Sequence, residues 1–272
     1  KQQPAHSLQT SSSSRLQLIN NLYNYRELLK SNVKKEIRGK YKGSILGILW
    51  SFVNPLLMVL VYAIVFPYIM RVKTDNYLVY LITAIIPWNY FTTAINQGMI
   101  TVRMNAGIIK KVYFPREILP ISVVSSGLVN FFISCIIILI FCIFSGVGLS
   151  FHLLLLPVIA IIQFFLTLGI VFALSAINIY IKDTEYIIQF FLNMLFYATP
   201  ILYPATMFPK SIRWVLYINP MSQLVDAYRN IFLYHQLPNA VGMLYTVIIT
   251  MIIFGIGLVI FRKLEKGFAE EI

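Results

Sequence analysis

Five long stretches of this chain, residues 43–70, 76–102, 118–181, 186–209 and 230–261, contain no aspartate, glutamate, lysine or arginine. A helix that crosses a bilayer needs about 20 mostly apolar residues. Four of the stretches therefore hold one span each, and 118–181 has room for two. A soluble domain spends about 25% of its residues on charge. Here 12% are charged and 58% hydrophobic, too little polar surface to coat a soluble particle. The chain reads as an all-α polytopic membrane protein with six transmembrane helices, near 44–70, 77–101, 119–144, 153–178, 186–203 and 240–261.

Charge placement orients those spans. Of the 22 Lys and Arg, nine precede the first span, four lie in 103–117, one is Lys182 and three follow residue 261. The opposite side holds only Arg71, Lys73, Lys210, Arg213 and Arg229. Cations accumulate on the cytoplasmic side of a membrane, which puts both termini in the cytoplasm. The same distribution accounts for the net charge of +12 without nucleic acid. These cations set topology and meet anionic headgroups.

Residues 1–14, with serines from Ser11 to Ser14, read as a disordered tail. Lys1 reads as a trimmed or replaced start, and no cleavable signal peptide precedes the first span. Residues 15–42 read as an amphipathic interface helix. Leu18, Leu22, Tyr25, Leu29, Val33 and Ile37 form one apolar stripe, and Arg26, Lys30, Lys34, Arg38 and Lys42 a basic ridge beside it. Such a helix lies in the headgroup plane against membrane lipids; packing on a protein partner is a compatible second reading. The remainder, 43–272, is the membrane domain.

Between the fifth and sixth spans, 200–239 carries Pro200, Pro204, Pro209, Pro220 and Pro238 yet stays apolar at Trp214–Ile218. Prolines interrupt a helix by removing a donor and clashing with the preceding turn. Short re-entrant helices on the outer side fit this pattern, since broken backbone at membrane depth must be covered by protein. A plain extracellular loop is the alternative.

Several chemistries have no residues to perform them. The spans carry no ionisable relay of the kind that drives ion-coupled carriers. His6, His152 and His235 are isolated, so no metal site is expected, and no local motif marks a catalytic residue. The only Gly-Lys pair, Gly39-Lys40, precedes Tyr41 and does not make a phosphate-binding loop. Cys135 and Cys142, seven residues apart on one helix, stand about 10 Å apart, too far for a disulfide; both read as packing residues.

Two segments at the inner surface stand out. Tyr41 to Trp50, with small residues at 43, 44 and 47, joins the interface helix to the first span. Ile108 to Pro120 places three cations and two prolines around one short turn. Such an elbow suits mechanical coupling to a cytoplasmic partner, and a purely topogenic loop fits equally well.

These two segments, the run Phe114-Pro115-Arg116-Glu117-Ile118-Leu119-Pro120, Asn178 to Asp183, Thr199 to Pro204, Asn219-Pro220-Met221 and the tail Phe261 to Ile272 follow one another in an order that resembles the type-2 ATP-binding-cassette exporter permeases of polysaccharides. The Ala269-Glu270-Glu271-Ile272 ending is most similar to the branch that exports wall teichoic acid. The O-antigen and capsule branches are the first alternative, a drug or lipid exporter the second. A polytopic glycan-transferring enzyme is the third.

The resemblance implies a half-transporter in a bacterial plasma membrane, not an enzyme. Two copies form a homodimeric pore on two ATPase subunits. The permease itself carries no cofactor; ATP and Mg bind the partner. The loops 103–117 and 181–185 then contact the ATPase, through Lys110, Lys111, Phe114, Pro115, Arg116, Glu117, Lys182 and Asp183. A lipid-linked glycan presents C–H faces to aromatic rings and hydroxyls to their polar tips. Tyr62, Phe66, Trp88, Tyr90, Phe91 and Tyr197 are the candidate path lining.

Overall fold

The computed structural model describes residues 24–43, 45, 47–70, 76–112, 114–211 and 213–271. The expected tail 1–14, the start of the interface helix with Leu18 and Leu22, and Arg71 and Lys73 lie outside the described residues. So do the side chains of 66–70, including Phe66. Among the described residues there is no strand, and helices satisfy their backbone donors within each segment, as a bilayer demands.

Helix α1 spans Arg26–Tyr41. Its Leu29, Val33 and Ile37 share a shallow hollow with Ser125 of the third span, with Lys30, Lys34 and Arg38 on the flank. The helix stops at Lys42, which is extended, and two glycines turn the chain. Gly43 and Gly47 take φ of 79° and 51°, a left-handed conformation that other residues adopt at a cost. The first span consequently begins as α2 at Trp50 and runs to Met70, later than the expected residue 44.

The long helices follow: α3, Tyr77–Met104; α4, Ile118–Phe144; α5, Leu156–Tyr180, preceded by a short 3-10 turn; and α9, Ala240–Leu264. These four are long and apolar enough to cross a membrane. The least apolar of them, α3, is also the most buried. It sits at the centre and touches α2, α4, α5 and α6, whereas α9 shows most of its surface outward. In lipid this is the expected order, because the bundle interior is where Asn, Thr and Gln find partners.

Helix α6 covers Thr184–Ala198 only, shorter than the span expected over 186–203. Its last turn ends where Thr199 and Pro200 begin, because Pro200 supplies no amide to continue the ladder. Fifteen residues rise about 22 Å, short of the roughly 30 Å hydrocarbon core. Beyond it, α7 (Trp214–Ile218) and α8 (Pro220–Arg229) are joined at Asn219. The Asn219 side chain accepts from the Met221 amide at 3.0 Å, and Pro220 occupies the first helical position, where no amide is needed. Helix α8 is no loose loop. Leu224, Val225, Ala227 and Tyr228 are buried, packed on α3, α5 and α9.

The most extensive helix contact among the described residues is that of α5 with α9. A Cβ on Gly257 would overlap the Gly169 carbonyl, and one on Gly169 would lie 2.6 Å from Cα of Phe254. Two glycines facing each other let the backbones touch, the small-residue contact by which helices associate in lipid. Cys135 and Cys142 are both buried and free, as their spacing predicts.

Candidate functional site

Three helices, α2, α3 and α6, surround a cavity of about 600 Å³. Helix α3 contributes Trp88, Asn89, Thr92 and Asn96, at the three- and four-residue spacing that keeps side chains on one helical face. Helix α6 contributes Gln189, Asn193, Phe196 and Tyr197 in the same rhythm, and α2 contributes Met58 and Tyr62. Among the described residues no charged side chain lines the cavity. An aromatic ladder runs along it: the Phe196 ring lies 6.2 Å from Tyr62, 5.7 Å from Trp88 and 5.4 Å from Tyr197.

Of the six aromatic residues expected to line a path, Tyr62, Trp88 and Tyr197 come together here. Phe91 is buried behind Trp88, with ring centres 5.7 Å apart, and lines neither this cavity nor the next. Tyr90 points the other way: its ring packs on Phe131 of α4 at 5.5 Å and its hydroxyl donates to the Val124 carbonyl. It lines a second cavity, between α2, α3 and α4. The amides Asn89, Asn96, Gln189 and Asn193 were not expected from the aromatic argument. The available signal was their recurrence at helical spacing on otherwise apolar spans.

Behind the cavity, Gln163 of α5 is fully buried. Its amide nitrogen donates to the Pro87 carbonyl at 2.8 Å, and its oxygen accepts from the Tyr228 hydroxyl at 2.8 Å. One side chain thus links the proline of α3, next to Trp88, with helix α8. A buried amide with both ends satisfied fixes one arrangement and resists any other.

At the opposite end of α3, the elbow residues divide into two groups. Lys110, Lys111, Lys182 and Asp183 are exposed. Phe114 is buried, and with Ile109, Val112 and Arg116 it lines a hollow of about 310 Å³ beside the two lysines. Pro115, Arg116 and Glu117 turn inward. Arg116 donates to the Glu265 carbonyl and lies over the Phe268 ring at 5.6 Å. Glu117 is 9% exposed and pairs with Arg262 at 3.5 Å. The elbow is therefore clamped to the C-terminal segment, an element that sequence spacing did not connect to it.

Two further contacts close this end. Arg103, on the last turn of α3, pairs with Glu185 on the first turn of α6, and Asn178 donates to the same carboxylate at 3.3 Å. The Tyr180 hydroxyl donates to the Leu264 carbonyl at 2.9 Å. The loops 103–117 and 181–185 are thereby tied into one surface together with residues 262–268. Among the described residues no three His, Cys, Asp or Glu side chains gather into a metal site.

A family model described as ABC-2 type transporter matches residues 27–233. The O-antigen export system permease protein RfbA of Myxococcus xanthus is 35% identical over 259 residues, 94% of this chain and 100% of that protein. The protein of the same name from Klebsiella pneumoniae is 34% identical over 246 residues, 90% of this chain and 94% of its own length. The polysialic acid transport protein KpsM of Escherichia coli is 23% identical over 238 residues, covering 86% of this chain and 92% of that one. With the family model spanning most of the chain and helices α2 to α8, the cavity and the elbow 103–117 falling inside it, this polytopic membrane protein belongs to the ABC-2 type transporter family.

Proposed function

We propose that the chain is the permease subunit of an ATP-driven exporter that moves a lipid-linked polysaccharide of the O-antigen class from the cytoplasmic to the outer side of the bacterial inner membrane. The observation that carries this reading is the cavity between α2, α3 and α6, uncharged among the described residues, where the rings of Tyr62, Trp88 and Tyr197 stand beside the amides of Asn89, Asn96, Gln189 and Asn193. Rings take the C–H faces of sugars and amides take their hydroxyls. A moving polymer needs many such weak contacts and no fixed charge to hold it.

The O-antigen class replaces wall teichoic acid as the favoured cargo. Only the C-terminal tail favoured teichoic acid, whereas relatives aligned over 90% or more of the chain carry O-antigen export in their names. A second copy of the chain completes the pore, six spans put both termini in the cytoplasm, and two ATPase subunits supply ATP and Mg. They dock on the surface built from Lys110, Lys111, Phe114, Lys182 and Asp183, and the clamp through Arg116 and Glu117 carries their motion to α4 and α9.

Deleting the protein in its native host is expected to strand lipid-linked glycan on the cytoplasmic face, read by surface labelling against total extractable glycan. Combined Tyr62→Ala, Trp88→Ala and Tyr197→Ala replacement is expected to slow export while the complex with the ATPase persists. Normal surface glycan in the deletion strain would falsify the reading.

A further inference from the structure

The second cavity borders the aromatic one, sharing Met58 and Asn89 with it, and has a chemistry of its own. We propose that it is a binding site for uncharged sugar residues, a recognition groove beside the path. Each of the three helices around it contributes side chains four residues apart: Asn89, Thr93 and Gln97 on α3; Ser126, Asn130 and Ser134 on α4; Trp50, Asn54 and Met58 on α2. That spacing lays one stripe along each helix. The stripes face a common hollow of about 520 Å³ and an adjoining one of about 130 Å³, which share Thr93, Gly127 and Asn130. The smaller hollow reaches Glu36 and Gly39 of α1, so the groove runs from the interface helix toward the middle of the bundle.

Polar side chains at membrane depth are costly unless they meet a partner, and the outward faces of α4 stay strictly apolar at Ile136, Ile140 and Ile143. The polar side chains of these helices gather in this groove and in the neighbouring aromatic cavity. Its volume falls in the range of small-molecule sites. Amides both donate and accept, which matches sugar hydroxyls, which do the same. The ring of Trp50, 39% exposed, offers an apolar face to sugar C–H groups. Tyr90, buried against Phe131, forms the back wall, and Gly127 makes room for it: a Cβ there would stand 3.0 Å from the Tyr90 ring.

Charge decides against a phosphate ligand. Among the described residues no lysine or arginine lines either hollow, and the charged group there, Glu36, repels an anion. The glycan, not the phosphate of its lipid carrier, is what this groove is built to read. The inference deepens the export reading by naming which part of the cargo is recognised, and the two can fail separately.

The chain has three tryptophans. Trp50 lines the groove and Trp88 the aromatic cavity, so fluorescence can tell the two sites apart. The full-length protein in phosphatidylcholine nanodiscs is prepared with Trp50 alone (W88F/W214F) or Trp88 alone (W50F/W214F), and titrated with mannobiose, N,N′-diacetylchitobiose and inorganic pyrophosphate. At least one disaccharide is expected to shift Trp50 emission saturably, and pyrophosphate is not. Asn54→Leu and Asn130→Leu are each expected to raise the half-saturating concentration about tenfold, the loss of one good hydrogen bond, while Asn130→Gln stays near the parent. Asn54 is exposed on α2, so its variant keeps the test available if Asn130→Leu does not fold. A response from Trp88 but not Trp50, no response to either sugar, or pyrophosphate acting as well as sugar overturns the groove. Normal surface glycan in the deletion strain instead sinks the export reading and leaves a Trp50 response standing.

Discussion

The guanidinium of Arg229 lies 3.5 Å above the centre of the Tyr80 ring and donates at 2.6 and 2.7 Å to the carbonyls of Pro200 and Ile201. The hydroxyls of Tyr77 and Tyr80 donate to the next two carbonyls, those of Leu202 and Tyr203, at 2.8 and 2.9 Å. Four consecutive carbonyls that a proline has taken out of a helix thus find side-chain donors from α3 and α8. Unpaired, each would cost about 1–3 kcal/mol. Cation–π stacking on Tyr80 offsets part of the desolvation of a cation that is 3% exposed.

Arg229→Lys keeps the charge but loses the planar fork that reaches two carbonyls at once. It is expected to lower stability by about 2 kcal/mol or more and to expose 199–213 to protease. Thermal unfolding in detergent and limited proteolysis read both effects. An unchanged cleavage pattern would remove the clamp from the account of this segment.

The glycine pair between α5 and α9 gives a sharper contrast. Gly257→Ala drives a methyl into the Gly169 carbonyl, whereas Gly255, two residues away on the same helix, has nothing within 4 Å of its would-be Cβ. Gly257→Ala is expected to destabilise by about 1–3 kcal/mol, as overpacking does, and Gly255→Ala to be neutral or slightly stabilising. Equal unfolding midpoints for the two variants would contradict the contact.

Gln163→Leu leaves the Tyr228 hydroxyl buried without its acceptor. Tyr228→Phe alone leaves the Gln163 oxygen in the same position. Each single change is expected to cost about 1–3 kcal/mol. The double variant should cost clearly less than their sum, because neither group is then stranded. Additive losses would mean that the two residues do not share one network.

Reversing the Glu117–Arg262 pair tests the elbow. Glu117→Arg and Arg262→Glu are each expected to reduce export and the amount of ATPase that co-purifies, and the combined swap to recover part of both. Membrane insertion should be unaffected throughout. A swap no better than the single variants would show that the pair transmits nothing.

Much of this protein is written along its chain. Uncharged runs announce spans, since a bilayer accepts a helix by its length and apolarity. Pro200 ends α6, Asn219-Pro220 starts α8, and the spacing of Leu29, Val33 and Ile37 makes one face of α1. Each follows from residues within a turn or two of one another. The aromatic cavity was half legible: Tyr62, Trp88 and Tyr197 were among the candidates, but the direction in which Tyr90 and Phe91 point depends on which helices stand beside α3. No local rule carries that information.

Tertiary structure alone decided the rest. Arg229 reads in sequence as one more outer cation, and only the meeting of α3 and α8 turns it into a buried clamp. Arg116 and Glu117 look like charges awaiting a partner protein, yet packing brings the segment 262–268 against them first. Gly169 and Gly257 are eighty-eight positions apart and mean nothing singly; their value is the absence of two side chains at one point in space. Sequence determined which segments enter the membrane, because burial in lipid is a property of each segment. Partnership between segments is a property of pairs, fixed where shape and hydrogen bonding close between residues far apart in the chain.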